Sequence, residues 1–504
     1  MNSLDYSRQN DYFYSMLEEN EKEKLHYLST VPQLLEFSKR EYGKFPALSD
    51  GKRSVTYDEL YLRVGARRGY LLSLGLKKGD RIAILSPNTM NAMETYLAVV
   101  TLGMVSVILP CGLDFSKISA FCKKFDVSAI MYDEVFEATV RDLQIPKYST
   151  EFRITDSSPA ADVLPDDICS ICLTGGTTGI PKGAVMTHRA IMRGAFNGCF
   201  VSGGVLHNSY IVLLPLSHIF GLVKSFLSVL YTGGLCYECR DVKTGIMMIP
   251  TLKPTTLVLV PGMADIIADL SIHRQKDFSS SVKTMIIGAA PVTPKLQKKL
   301  RSLGITVFAG YGLTEAANLT SGNKNLEEKP DSMGMIYPGQ EVKIVDGELR
   351  LKGDNVMLGY FGDEKATKEA FDEDGWLRTG DLVSFDDDGC IYITGRIKSL
   401  IILSNGENVS PEELEELFYK YSDVKDCLVS EMKVGERAVI GIEIIPESNL
   451  LTQMSDEELD SHFKSISNEI NKTLPEFKRI SKVVIRKKDF KRTGAMKISR
   501  NRED

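Results

Sequence analysis

The sequence predicts an α/β protein in two parts, a large unit built on parallel sheets and a smaller α+β unit at the carboxyl end. Three observations carry this reading. The chain has 504 residues, 43% of them hydrophobic, which exceeds the size at which one core keeps growing. From about residue 80, short apolar runs alternate with helix-like stretches, the pattern of strands covered on both faces by helices. Beyond residue 334 this texture gives way to short alternating strands and turns.

The elements follow in order. RIAILSP is strand-like, NAMETYLAVVTLG helical, VSVILP strand-like, FSKISAFCKKF helical and VSAIMY strand-like. DICSICL, YIVLLPL, TTLVLVP, KTMIIG and ITVFAGYG continue the strand series, separated by amphipathic segments. Ligands of such sheets sit outside the carboxyl ends of the strands. EVKIVDGELRLKGD carries a DG turn between alternating runs and predicts a hairpin, and GCIYITG adds a further strand. After Arg396 a small unit is expected: a hairpin around Asn405-Gly406, a helix begun by Ser410 and Pro411, two strands, a helix near 455–472 and a basic tail. The expected divisions are an N-terminal extension at 1–34, a large unit at 35–395, a hinge at 396–399 and a small unit at 400–504. Within the extension, residues 11–29 are expected to form an amphipathic helix packed on its own domain.

Composition excludes several classes. Net charge is −6 with 25% charged residues, so no basic surface points to nucleic acid. The polar N-terminus lacks the apolar stretch of a signal peptide, and no run approaches the roughly 18 apolar residues of a bilayer span. A soluble cytoplasmic protein is expected. Cys169/Cys172 and Cys236/Cys239 are C-x-x-C pairs, but both lie in strand-like runs. Positions i and i+3 of a strand face opposite ways, so reduced core cysteines are expected and a zinc site is not. Trp376, the one tryptophan, is expected in the core.

Residues 172–185 read CLTGGTTGIPKGAV. Glycines let backbone N–H groups approach a polyphosphate, threonines add hydroxyls and Lys182 a point charge. The order differs from a Walker A loop, since Pro181 precedes the lysine and Gly183 follows it. At these residues the sequence resembles the adenylate-forming superfamily, which includes acyl-CoA synthetases, amino-acid adenylation domains and firefly-type luciferases. Further motifs follow in that family's order: LPLSHIFGL (214–222), GAAP (288–291), YGLTE (311–315), GWLRTGDL (375–382), GRIKS (395–399), GENVSPEELE (406–415) and RTGAMKISR (492–500). The resemblance spans residues 35–500 and implies a small β-barrel within the large unit and a mobile small unit.

The resemblance also implies roles. Thr174, Gly175, Gly176, Thr177, Thr178, Gly179 and Lys182 would cradle the phosphates of ATP. Glu315, with Thr174, would hold Mg²⁺, and Thr314 a phosphate. Gly288, Ala289, Ala290 and Pro291 would flank adenine with Gly310, Tyr311, Gly312, Leu313 and Ile393, Tyr311 laying its ring on the base. Asp381 would take the ribose diol, assisted by Arg396. Lys497 would reach the carboxylate and α-phosphate during adenylation, and Lys398 would mark the hinge about which the small unit swings. Two residues depart from the family pattern: Gly175 stands where serine is common, and Met496 replaces a glycine.

His218, Ile219, Phe220, Gly288, Gly310 and Ala316 would line an acyl pocket, with the two glycines leaving room for a long channel. PLSHIFG lacks the aspartate that pairs with an amino acid's ammonium, so a fatty or aryl acid is expected. Coenzyme A is the expected acceptor. The alternatives are a separate carrier protein, a luciferase-type oxidation, or a nucleotide-binding relative without turnover.

Overall fold

The computed structural model describes residues 6–151, 156–174, 181–201, 203–273, 278, 280–324, 326–403, 407–434, 437–491, 498 and 500. Two large sheets dominate. The first has seven strands, in the order Gly359–Tyr360, Gly183–Thr187, Ile168–Leu173, Val105–Ile108, Arg81–Leu85, Ala129–Tyr132 and Lys147–Ser149. Its five later-named strands pair in parallel, while Ile168–Leu173 and Gly183–Thr187 are antiparallel. Successive side chains enter different core clusters: Ile82 and Ile84 join one, Ala83 and Leu85 the other. Burial on both faces explains why these strands read as unbroken apolar runs.

The second sheet has nine strands, in the order Met335–Ile336, Ser321–Asn323, Thr306–Tyr311, Thr284–Ile287, Thr256–Leu259, Ser209–Ile211, Leu235–Tyr237, Pro46–Ser49 and Ser54–Thr56. Thr284–Ile287 and Thr306–Tyr311 run in parallel, so Gly288 and Tyr311 leave the sheet at the same edge. The expected strand at YIVLLPL is shorter than its apolar run and ends at Ile211.

Beyond these sheets, Gln340–Val345 and Glu348–Gly353 form the DG hairpin, with Asp346 and Gly347 at φ 52° and 79°, the left-handed pair a tight hairpin turn requires. Leu377–Phe385 and Ile391–Arg396 complete a four-stranded sheet whose edge strands do not pair with one another, so it is open and not the small barrel expected.

The carboxyl-terminal part has its own core around Phe418, Ile442 and Phe463. Ile401–Ile402 pairs with Asn408–Val409, and the turn at 404–406 lies outside the described residues. Ser410 caps the helix Pro411–Tyr419 by accepting from the Glu413 N–H. Val424–Val434, Arg437–Pro446 and an unforeseen third strand, Lys482–Ile485, form a sheet against the helix Asp456–Thr473.

Three local expectations need correction. A bulge between Ile168 and Ser170 breaks the alternation, so Cys169 and Cys172 join the same core cluster. All nine cysteines are unpaired, burial pushes the Cys169 thiol up to about 12, and Cys111 is exposed. Trp376 is half-buried, with the ammonium groups of Lys343 and Lys352 at 4.7 and 5.7 Å from its ring centroid. The N-terminal segment forms two helices, Tyr6–Tyr14 and Glu19–Lys24, rather than one, and buries Phe13, Met16, Leu17 and Leu25 in the main core. No helix among the described residues is long and apolar enough to cross a membrane.

Candidate active site

The antiparallel strands Ile168–Leu173 and Gly183–Thr187 hold the two ends of the Gly/Thr-rich loop. At its mouth the Thr174 N–H donates to the Lys182 carbonyl at 2.9 Å. Gly175, Gly176, Thr177, Thr178 and Gly179 lie outside the described residues. Tyr360 pairs with Ala184 on the neighbouring strand, which sets its ring under the loop lysine: Lys182 Nζ lies 4.7 Å from the ring centroid. The Tyr360 hydroxyl donates to Glu315 Oε1 at 2.8 Å. Burial, reinforced by the Glu315 charge, holds that hydroxyl far above the usual tyrosine range, so it stays a donor.

Glu315 sits on a short 3₁₀ turn, Thr314–Ala316, that follows the strand ending at Tyr311. Ala317 and Asn318 then adopt positive φ, 48° and 71°, an uncommon pair for residues with side chains. The turn folds back so closely that a Cβ on Gly312 would lie 1.1 Å from the Asn318 carbonyl oxygen, so only glycine fits. This strained reversal keeps Tyr311 and Glu315 on one short loop.

At the other end of that loop, the Tyr311 hydroxyl donates to Asp381 Oδ2 at 2.5 Å, and Arg396 Nε donates to Asp381 Oδ1 at 2.6 Å. Asp381 and Arg396 are cross-strand partners, and the carboxylate is buried while the guanidinium is half exposed. Burial opposes the Arg396 charge, but the Asp381 carboxylate outweighs it and keeps the guanidinium above its ordinary range. Both Asp381 oxygens thus have protein partners; a ribose diol would share or displace them.

A narrow cavity opens beside this loop, its wall including Gly288, Ala289, Gly310, Tyr311 and Gly312. Of the predicted acyl-pocket residues, Phe220, Gly288 and Gly310 line it, whereas His218, Ile219 and Ala316 do not. Ile219 and Ala316 are core residues, and burial draws the His218 imidazole below its usual range. Among the described residues the two glycines do not open onto a long channel. A Cβ on Gly288 would lie 3.0 Å from the Phe220 ring, and one on Gly310 2.8 Å from the Ser321 carbonyl, so neighbours already occupy the vacated space. Phe13 stacks on Tyr337, centroids 4.3 Å apart, and both border the cavity.

Ala290, Pro291, Leu313 and Thr314 lie on the loops around this wall, and Ile393 packs on the main core from the strand that ends at Arg396. Lys398 is exposed on the 3₁₀ turn Ile397–Ser399. Lys497, with Met496, lies outside the described residues. Two described residues beyond it are anchored: Ile498 packs against Leu428, Ile445 and Phe490, and Arg500 bonds Glu415 Oε2 at 2.7 Å and the Val429 carbonyl at 3.1 Å.

Two family models match this chain. The AMP-binding enzyme family model matches residues 35–361, and the model of the AMP-binding enzyme C-terminal domain matches 398–503. The chain belongs to the AMP-binding enzyme family. A feruloyl-CoA synthase of Amycolatopsis sp is 31% identical over 404 residues, covering 76% of this chain and 82% of that protein. A 4-coumarate–CoA ligase of Solanum tuberosum is 28% identical over 492 residues, with 88% of each chain covered. The o-succinylbenzoate CoA synthetase of Bacillus subtilis, solved with its acyl-adenylate intermediate, superposes with a TM-score of 0.79 at 25% identity, over 94% of this chain and 98% of that one.

For an AMP-binding enzyme, the motif residues converge as a group: Lys182, Tyr311, Glu315, Asp381 and Arg396 are linked around one loop. Sequence reasoning missed Tyr360, which bridges the lysine and the glutamate. It also missed Phe13, Met16, Phe200, Lys224 and Tyr337 around the cavity. The aromatic run Tyr12-Phe13-Tyr14 in a polar segment was the available signal for the first of these.

Proposed function

We propose that this AMP-binding enzyme is an acid–thiol ligase that activates a fatty or aryl carboxylic acid as acyl-AMP and passes the acyl group to coenzyme A. A carboxylate oxygen attacks the α-phosphorus of ATP as the bond to pyrophosphate breaks. The thiol sulfur then attacks the acyl carbon, and AMP leaves. Two anions meet in the first step, so positioning and charge neutralisation dominate. The single observation that carries the reading is the loop 311–316, which joins a phosphate-side cluster (Lys182, Tyr360, Glu315) to a nucleoside-side cluster (Tyr311, Asp381, Arg396) beside a cavity.

Lys182 supplies positive charge at the mouth of the loop, and Tyr360 holds both it and Glu315 in place. Tyr311 and Arg396 orient Asp381 toward the ribose, and Lys497 brings an ammonium to the α-phosphate. Glu315 fits a Mg²⁺ ion: its Oε1 accepts from Tyr360 and its other oxygen remains a hard donor. The ion, held by Glu315, Thr174 and phosphate oxygens, would neutralise charge on the departing pyrophosphate.

The large unit at 35–395, the hinge at 396–399 and the small unit at 400–504 form part of this proposal, the small unit swinging between the two half-reactions. A cytoplasmic setting accords with nine unpaired cysteines. The test is pyrophosphate–ATP exchange with fatty, aryl and amino acids, followed by coenzyme A or a carrier protein as acceptor. Lys497→Ala should lower exchange by roughly 100-fold or more while sparing thioester formation from supplied acyl-adenylate. Exchange with amino acids alone overturns the acid class, and equal loss of both half-reactions overturns the role of Lys497.

A further inference from the structure

The chain after His218 changes helical pitch. Ile219–Leu222 is α-helical, Val223–Leu227 a π turn, and Ser228–Tyr231 α-helical again. A π turn adds a residue to the helix and re-aims the side chains that follow, a device concentrated at functional sites. Here it contains Lys224, which lines the cavity and is 3% exposed.

Its ammonium donates to the Gly198 carbonyl, and no carboxylate among the described residues pairs with it. Burial draws its pKa down to about 8, with the Cys199 thiol opposing the shift. An ammonium has three protons to donate, and a desolvated cation without a counter-charge is costly. A hydrocarbon acid filling this cavity would leave that cost in place, and methionine would line the wall better.

Lys224 is tied to the wall that continues through Phe200 and Val201, where Phe13 also packs. The reacting carboxyl belongs at the Tyr311–Gly312 wall, which connects to Asp381 and Arg396. We propose that Lys224 is the specificity-determining residue of the cavity, and that the acid held there carries a second acceptor oxygen, phenolic or carboxylate, away from its reacting carboxyl. This rests on the reading of the cavity as the acyl pocket.

The test uses the full chain and benzoic and cinnamic acids bearing hydroxyl, carboxyl or methyl at ring position four, with pyrophosphate release as readout. The wild type should favour an oxygenated acid over its methyl counterpart by roughly 100-fold in kcat/KM, chiefly through KM. Lys224→Met should collapse that preference at least tenfold, and Lys224→Gln should restore part of it for the hydroxyl arm but not for the carboxyl arm. Melting temperatures check folding, and Lys224→Gln carries the comparison if the methionine variant does not fold. Which arm the wild type favours identifies the second oxygen. A wild-type preference independent of residue 224, or a loss shared equally by the methyl acids, overturns the proposal alone. No pyrophosphate with any acid overturns the acid-activation reading and this proposal together.

Discussion

Tyr360 shows how one side chain ties together groups that arrive from distant parts of the chain. Its ring receives Lys182 and its hydroxyl is spent on Glu315. Tyr360→Phe keeps the ring and removes the hydroxyl. A hydrogen bond to a charged group is worth about 1.5–3 kcal/mol, so adenylation should fall roughly tenfold or more, with a raised Mg²⁺ requirement. Pyrophosphate exchange titrated with MgCl₂ measures both, and an unchanged titration would remove Tyr360 from the site. Glu315, Asp381 and Arg396 were legible because each sits in a short motif that carries the family resemblance. Tyr360 was not: its strand has two residues, and only pairing with Gly183–Thr187 gives it a role. Lys224 was hidden for a related reason. It interrupts the apolar run of 219–230 as a single charge, and the π turn that buries it leaves no periodic trace.

Among the elements, the helix His188–Asn197 is joined to Val31–Tyr42 by the Val31 N–H, which donates to His188 Nδ1 at 3.3 Å. That bond needs a neutral ring, and Nε2 is buried with no partner among the described residues. Burial accordingly drives the His188 pKa from 6.5 down to about 4. A depressed value means the contribution to stability is present above the unfolded pKa and lost as pH falls through the folded one. Between pH 6.5 and 4 the protein should lose up to about 3 kcal/mol through this residue. Urea midpoints of wild type and His188→Gln across that range test this; parallel pH slopes would show that His188 is not the group responsible. Phe13 makes the same case for the N-terminal helices. It is fully buried between Phe200 and Tyr337, so Phe13→Ala should cost about 3–5 kcal/mol and enlarge the cavity. Unchanged stability in urea would mean the helix merely rests on the surface. Strands with long apolar runs were legible as elements. Lys482–Ile485 was not, because it has four half-buried residues in a basic tail, and whether the 340–396 strands close or stay open depends on edge pairing, which no local pattern records.

At the scale of the whole molecule, the proposed cycle makes two demands on the carboxyl-terminal unit: it must carry Lys497 firmly, and it must be able to leave. It has a separate core around Phe418 and Phe463, and its contact with the rest of the chain includes a surface ion pair, Lys295 with Glu447, of the kind that contributes at most about 1 kcal/mol. The grip on the tail is stronger. Arg500 enters a buried site and bonds the Glu415 carboxylate, whose pKa burial raises to about 7 even against the opposing guanidinium. Arg500→Met removes the charge that opposes this rise, so Glu415 takes up a proton and position 500 loses its anchor. Adenylate formation should then fall about tenfold, since a lysine held loosely forfeits the positioning that this step depends on. Thioester formation from supplied acyl-adenylate should stay within about threefold of wild type, because on the swinging scheme that step proceeds with Lys497 withdrawn. Measuring the two half-reactions separately on the same preparation decides the matter. A parallel decline in both would mean that Arg500 supports the fold of the small unit as a whole, and that the tail is not the part of the molecule that distinguishes one half-reaction from the other.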